Sequence, residues 1–326
     1  MTELDFGGGF KSSRERLREE GDHRRALAKR VIPFNISYLD DCCLGIYPTD
    51  LIIISAATGA GKTTIAALLS QLAAEQDRRV HFFALEAHRS EIEQRMLFRE
   101  LLALIREKYD RIARVTFAEW MYGRCGIPAS VENEAAERLA DKTKGLRTFY
   151  RDRKFSAEDI TKQFLAIQNE TDLIVLDHLH YVDSDDQNDN RGLKTVTKAL
   201  RDAAIDMEKP VIVVAHLRKK DRSKPRLIPD ENDVHGSSDI AKIATKIIML
   251  APARDQSANS PQVASTYMQV VKDRFVGATG IAALMSYDLT ELRYYDKYCL
   301  GRISFDGTEF EIIPAEQRPR WAKRAI

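Results

Sequence analysis

Residues 51–64 read Leu51-Ile52-Ile53-Ile54-Ser55-Ala56-Ala57-Thr58-Gly59-Ala60-Gly61-Lys62-Thr63-Thr64. Four apolar β-formers lead into a turn carrying Gly59 and Gly61. Lys62-Thr63 follows, then Ile65, Leu68, Leu69 and Leu72 at helical spacing. A strand, a glycine-bearing loop and a helix N-terminus in that order make an anion site, because loop N–H groups and the helix dipole both favour negative charge there. Lys62 can reach the outer phosphates of a nucleoside triphosphate, and the Thr63 hydroxyl can sit on Mg²⁺. The usual pattern is G-x-x-x-x-G-K-[ST], and Ala56 stands at its first glycine. Thr58, Gly59, Ala60, Gly61, Lys62, Thr63 and Thr64 are the expected phosphate cradle.

Outward from this stretch, short apolar runs alternate with helical patterns. Strands are expected at 51–55, 80–85, 147–150, 173–176, 211–215 and 246–250, with helices at 62–75, 89–106, 130–141, 157–169, 191–207 and 238–244. Almost uniformly apolar strands suit a parallel sheet covered on both faces, so the fold class is α/β, a mainly parallel sheet flanked by helices. Beyond about residue 262 the runs 265–272, 281–288 and 291–297 predict antiparallel edge strands. A closing hairpin should turn at Asp306-Gly307.

The chain divides into an arm over 1–31, one domain over 32–315 and a basic tail over 316–326, expected to be mobile. Ser12 to Arg30 is dense in Arg and Glu with few apolar points, a polar helix that burial alone does not support. It reads either as a solvated tail or as an arm that packs on a neighbouring subunit.

At 326 residues with 44% hydrophobic and 30% charged residues, the chain has the composition of a soluble globular protein. The net charge of +1 means that any basic surface must be local. Mean hydropathy is −0.36 and no run is long enough to span a membrane, so a membrane partner is not expected. The N-terminus lacks a signal-peptide pattern. Cys42, Cys43, Cys125 and Cys299 form neither a C-x-x-C pair nor a cluster with histidine, and read as reduced thiols in a cytoplasmic protein.

Asp177 ends the apolar strand Leu173-Ile174-Val175-Leu176 and is expected beside the phosphate-loop strand, holding Mg²⁺ opposite Thr63. Glu86 ends the strand before it in sequence, on the edge where parallel sheets place ligands, and can accept a proton from an attacking water. His216 ends a later strand, where a polar side chain can touch a γ-phosphate and report its loss. Six of the nine positions from 218 to 226 are basic: Arg218, Lys219, Lys220, Arg222, Lys224 and Arg226. With no aromatic residue among them, they suit sequence-independent contact with a nucleic-acid backbone. Lys272 and Arg274, two apart on an extended segment expected at the far edge of the sheet, could reach a neighbouring subunit's γ-phosphate as an arginine finger.

The ordered blocks are Ala57-Thr58-Gly59-Ala60-Gly61-Lys62-Thr63, Ala84-Leu85-Glu86, Leu176-Asp177-His178, Ala215-His216-Leu217-Arg218, Asp233 to Ser238, and Lys272-Asp273-Arg274-Phe275 with the glycines and threonine after it. Together they resemble the RecA-type motor domain of ring helicases, nearest the phage primase-helicase and Twinkle branch of the DnaB-like proteins. The resemblance implies a RecA-like P-loop NTPase fold, ATP or another NTP or dNTP with Mg²⁺, and 5′ to 3′ movement on single-stranded DNA as a homohexamer. Lys62 and Thr63 would bind the triphosphate and Mg²⁺, and Asp177 the metal. Glu86 would be the catalytic carboxylate, His216 the γ-phosphate sensor where DnaB-like proteins usually carry Gln, and Lys272 and Arg274 the trans-acting finger. The basic loop after His216 would line the channel. The arm would clasp the next subunit, and a separate primase or polymerase is a natural partner in the cytoplasm of a bacterial or phage-infected cell.

Departures are Ser238 where the family has glycine, and the acidic run 183–190 where the first channel loop should lie. No primase domain is expected before the motor. Two other readings stay open: a RecA-like ATPase that forms a filament or acts as a switch without unwinding, and a DNA-binding accessory or loader with little turnover.

Overall fold

The structure, a computed structural model, describes residues 12–57, 59–109, 115–151, 155–183, 189–217, 226–234, 237–253, 263–276 and 278–326. In chain order the first elements are α1 (Ser13–Ala28), α2 (Ser37–Cys43), β1 (Leu51–Ala56), α3 (Lys62–Ala74), β2 (Val80–Ala84) and α4 (Glu91–Tyr109). Then come α5 (Phe117–Met121), α6 (Ala129–Lys142), β3 (Leu146–Tyr150), β4 (Phe155–Ser156), α7 (Ala157–Ala166), β5 (Leu173–Asp177) and β6 (Val182–Asp183). The rest are α8 (Asp189–Met207), β7 (Val211–His216), α9 (Ser237–Ile243), β8 (Lys246–Pro252), β9 (Val263–Asp273), β10 (Ala282–Asp288), β11 (Arg293–Ile303) and β12 (Phe310–Ile312).

Ten strands form one sheet in the order β12-β11-β10-β9-β8-β1-β7-β5-β2-β3. The six strands from β8 to β3 run parallel, and β9 to β12 are added antiparallel. The all-apolar runs are explained by this arrangement: β1, β5 and β7 are buried along both faces apart from the half-buried His216 at the end of β7. One apolar layer, with Ile52, Ile54, Ile65, Leu69, Phe82 and Met96, lies on the α3 and α4 face. The other, with Leu51, Ile53, Phe164, Val196, Leu200 and Val213, lies under α7 and α8. The pleat sends alternate β1 residues to the two layers.

Three placements differ from the sequence reading. β7, rather than β5, is the strand beside β1, so Asp177 stands one strand further away than expected. β9 is separated from β1 by β8 alone, so Lys272 is not at a far edge, and the true edges are β12 and β3. The basic tail is not a loose end. Trp321 packs on Tyr38 with ring centroids 6.3 Å apart, Arg324 bonds the buried Asp41 carboxylate at 3.1 Å, and Ile326 N–H reaches the Tyr298 carbonyl at 2.8 Å. One apolar ring in a basic run is enough to anchor it, because it meets an aromatic pair, Tyr38 and Tyr298, already in the core.

The arm is the helix that its pattern implies. Ser12 and Glu15 form a capping box, and Leu27 is its only buried residue. Its contact with the domain is polar: His23 and Arg30 meet Glu208 at the end of α8 at 2.9 and 3.0 Å. Leu17 is 75% exposed. A satellite cluster built by Phe98, Phe117 and Trp120 joins α4, α5 and α6 beside the main layers. No helix among the described residues is long and apolar enough to cross a membrane.

Candidate nucleotide site

The carboxyl ends of β1, β7, β5 and β2 meet above α3, where parallel strands leave a crevice. Gly59 and Gly61 have φ of 78° and 85°, and a Cβ at either would meet nothing within 4 Å. The left-handed backbone, not crowding, requires glycine there. Ala56, at the usual first glycine, is the last residue of β1, paired with His216 on one side and Leu250 on the other. A residue in regular strand geometry needs no glycine, which removes the apparent defect in the motif. Gly61 caps α3 with no side chain of its own, leaving the first-turn N–H groups for an anion. Thr58 lies outside the described residues.

Lys62, 8% exposed, turns back so that Nζ donates to the carbonyls of Ala56 and Ala57 at 3.0 and 3.1 Å. Burial lowers its pKa, while Glu86 and Asp177 nearby pull the other way. Asp177 is 1% exposed, and neither carboxylate oxygen has an in-line hydrogen-bond partner. Burial lifts its pKa to about 6, against the opposing pull of the neighbouring Thr63 hydroxyl. A buried, unsatisfied carboxylate beside a threonine hydroxyl is a hard oxygen donor set, and Mg²⁺ fits it.

A cleft of about 410 Å³ is lined by Gly61, Lys62, Thr63, Glu86, Asp177 and His216, with Glu91 and Arg95 at its side. Thus the expected phosphate, metal, base and sensor residues share one cleft. Behind Glu86 and His216 lies His178, joined to Asp177 by a cis peptide bond. Burial, with His216 and His180 close by, drives its pKa down to about 3, so the imidazole is neutral. Its Nε2 is 2.9 Å from Glu86 Oε2, and its ring packs edge-on to His216 with centroids 4.0 Å apart.

A second, apolar cleft of about 390 Å³ shares Gly59, Gly61, Thr64 and Arg95 with the first. Met96, Phe117, Pro252, Tyr287 and Tyr294 line it. Sequence reasoning missed this cleft. Its walls come from α4, α5, β8, β10 and β11, and only the long apolar stripe of α4 hinted that one wall would pack here.

Lys272 and Arg274 are elsewhere. Ile247 of β8 pairs with Ile53 of β1 and with Lys272 of β9, three residues short of Ala56. At about 3.3 Å per residue, Lys272 sits about 10 Å down the sheet from the loop's start, and Arg274 lies further still, because β9 runs antiparallel. Lys272 Nζ donates to the Ala241 and Lys242 carbonyls at the end of α9, the latter at 3.0 Å, while Arg274 is exposed and its N–H bonds the Thr245 carbonyl at 2.9 Å. Beneath them Lys246 Nζ lies 2.6 Å from Asp50 and 3.9 Å from Asp273, all buried.

Of the basic loop, Arg218, Lys219, Lys220, Arg222 and Lys224 lie outside the described residues, as does most of the acidic run 183–190. Arg226 is exposed and pairs with Asp230, its stem against Gly307. An antiparallel bridge between Leu217 and Val234 pinches the base of this loop directly after His216.

Comparison with known proteins agrees with this geometry. The chain is similar to the replicative DNA helicase DnaB of Geobacillus stearothermophilus, 23% identical over 303 residues covering 88% of this chain and 63% of that one. It is similar at 23% to the DnaB of Leifsonia xyli, over 74% of this chain and 51% of that one. It therefore spans between half and two thirds of the length of these relatives. Among solved structures, one of an isolated ATPase domain superposes with a TM-score of 0.67 at 15% identity, covering 88% of this chain and 99% of that one. A DnaB-like replicative helicase studied with its interactions with primase gives 0.66 at 14%, over 87% of this chain and 68% of that one. The family described as DnaB-like helicase C terminal domain matches residues 32–293, and the chain belongs to that family.

Proposed function

We propose that this chain is the ATP-hydrolysing motor of a ring helicase that moves 5′ to 3′ on single-stranded DNA as a homohexamer, with nucleotide held between subunits. The observation that carries this reading is the separation of charge within one chain. The phosphate cleft lies at one end of the sheet, whereas Lys272 and Arg274 lie about 10 Å or more towards the other. They cannot serve their own γ-phosphate, and a neighbouring copy supplies the geometry in which they serve its partner's.

Within the cleft, Lys62 and the N-terminus of α3 neutralise the outer phosphates, and the base and sugar occupy the apolar cleft against Tyr287 and Tyr294. Thr63 and Asp177 hold Mg²⁺, which supplies charge neutralisation on the transferring phosphoryl group. Glu86 orients the attacking water and accepts its proton. His216 touches the γ-phosphate, and its loss is passed through the Leu217–Val234 bridge to the basic loop on DNA. Histidine rather than glutamine at 216 supports the phage primase-helicase and Twinkle branch. The relative studied with primase supports a separate primase as a partner.

A forked duplex with ATP and Mg²⁺ tests the reading, with Lys62→Ala as the control. Unwinding should require a 5′ single-stranded arm. DNA-stimulated hydrolysis without unwinding would replace it with the filament or switch ATPase.

A further inference from the structure

His178 is 2% exposed and takes no part in the roles assigned above. The backbone N–H of His180 donates to its Nδ1 at 3.3 Å. A neutral imidazole that accepts at Nδ1 carries its proton at Nε2. That donor points into the protein, has no in-line acceptor, and lies 2.9 Å from Glu86 Oε2, off the N–H axis. A buried donor left without an acceptor is costly, and the acceptor within reach is a carboxylate 45% exposed and free to turn. Catalytic hydrogen bonds are commonly misaligned before substrate arrives and tighten in the reacting complex.

We propose that His178 is a positioning residue: its Nε2–H fixes the Glu86 carboxylate towards the attacking water, and its ring ties that carboxylate to His216. The edge-on contact with His216 at 4.0 Å gives the sensor and the carboxylate a common support. A sensor displaced by the γ-phosphate then presses on the ring that aligns Glu86. The donor atoms of Glu86, His178 and His216 lie within 4.8 Å of one another, as a cation site would also have them. Against a cation, the Nδ1 acceptor assigns the proton to the nitrogen that would bind it, whereas metal-bound imidazoles donate from the other nitrogen.

The proposal rests on Glu86 being the hydrolytic carboxylate, so the experiment separates the two. His178→Phe keeps a ring and removes the donor, and His178→Gln keeps a donor and removes the ring. Steady-state hydrolysis, nucleotide affinity and thermal unfolding are measured for both, alone and with Glu86→Gln. We expect His178→Phe to lower kcat at least about tenfold, the worth of one hydrogen bond, with KM unchanged, and His178→Gln to recover most of it. In the Glu86→Gln background the Phe substitution should cost nothing more. Nitrogen-15 spectra of histidine-labelled protein should place the proton on Nε2. A normal kcat in His178→Phe, a further loss on top of Glu86→Gln, or a proton on Nδ1 overturns the proposal. Full hydrolysis by Glu86→Gln alone overturns the role of Glu86 instead, and the spectra still report the His178 geometry.

Discussion

Lys246→Met is the sharpest test of how the sheet is held. The ammonium lies 2.6 Å from Asp50 and 3.9 Å from Asp273, and it is 1% exposed. At an effective dielectric of about 20, the nearer contact alone is worth roughly 6 kcal/mol of attraction. Against this stands the several kcal/mol needed to take the ammonium out of water. Methionine nearly matches the volume of lysine, so little of the effect comes from a cavity. What it leaves is two buried carboxylates without their shared cation. Asp50 keeps Thr245 Oγ1 at 2.7 Å and Tyr47 N–H at 2.7 Å, and Asp273 keeps the N–H groups of Phe275 and Val276. Removing one partner of such a pair costs about 3–5 kcal/mol. Urea unfolding followed by circular dichroism should show that loss as a lower midpoint with an unchanged slope. Adding Asp50→Asn should recover part of it, because the uncompensated charge goes. A loss below about 1 kcal/mol would mean that the three groups do not meet in a dry site, and the account of this end of the sheet would fall.

Asp172 accepts from Arg79 Nε and Nη2 at 3.1 and 2.8 Å, and despite partial burial these bonds hold its pKa down to about 2. Because the folded value is depressed, its contribution is complete above about pH 4 and fades as pH falls through about 2. Screening at this half-exposed pair reduces it to about 1 kcal/mol. Asp172→Asn should cost that much at pH 7 and almost nothing near pH 2, and a pH-independent cost would count against the ion pair. Gly61→Ala forces a side chain into a φ of 85°, for about 1–2 kcal/mol of strain, and should weaken fluorescent-nucleotide binding more than it lowers the melting temperature. Arg324→Ala leaves the buried Asp41 with Tyr298 Oη at 2.8 Å and one backbone N–H, and should destabilise by about 2 kcal/mol in the same urea assay. No measurable change would mean that the tail does not dock in solution.

The strands are legible because burial on both faces of a parallel sheet demands unbroken apolar runs, and such runs are visible one segment at a time. Their order is not. Nothing in Leu173 to Asp177 says that β7 will lie between it and β1, because that is fixed by which helix crosses which face. The phosphate cleft is legible for a similar reason: Lys62, Thr63, Asp177, Glu86 and His216 each end or follow a strand, and all parallel strands end on one side. Arg95, on α4, and the tyrosines of the apolar cleft follow no such rule. His178 is visible only as a neighbour of Asp177, since its importance lies in the atoms that it faces. The tail escapes a reading by composition because five basic or proline residues between 318 and 324 outweigh one tryptophan, whereas in packing the tryptophan decides.

The two ends of the sheet explain each other. A single chain that held its cationic finger beside its own phosphate loop could hydrolyse nucleotide without a neighbour, and hydrolysis would carry no information about assembly. Here β9 is antiparallel to β8, so the chain that leaves the phosphate end returns with Lys272 and Arg274 at the other. The turn that presents Arg274 is held from inside by Asp273, which accepts from Phe275 and Val276 and faces the Lys246–Asp50 pair. Rigid support is what a charge needs if it must meet a phosphate on another molecule, because a flexible arginine would lose its own freedom at every encounter. The buried ion pair and the proposed finger are therefore two halves of one device. Its expense in desolvation makes sense only if the surface that it stiffens meets a partner copy.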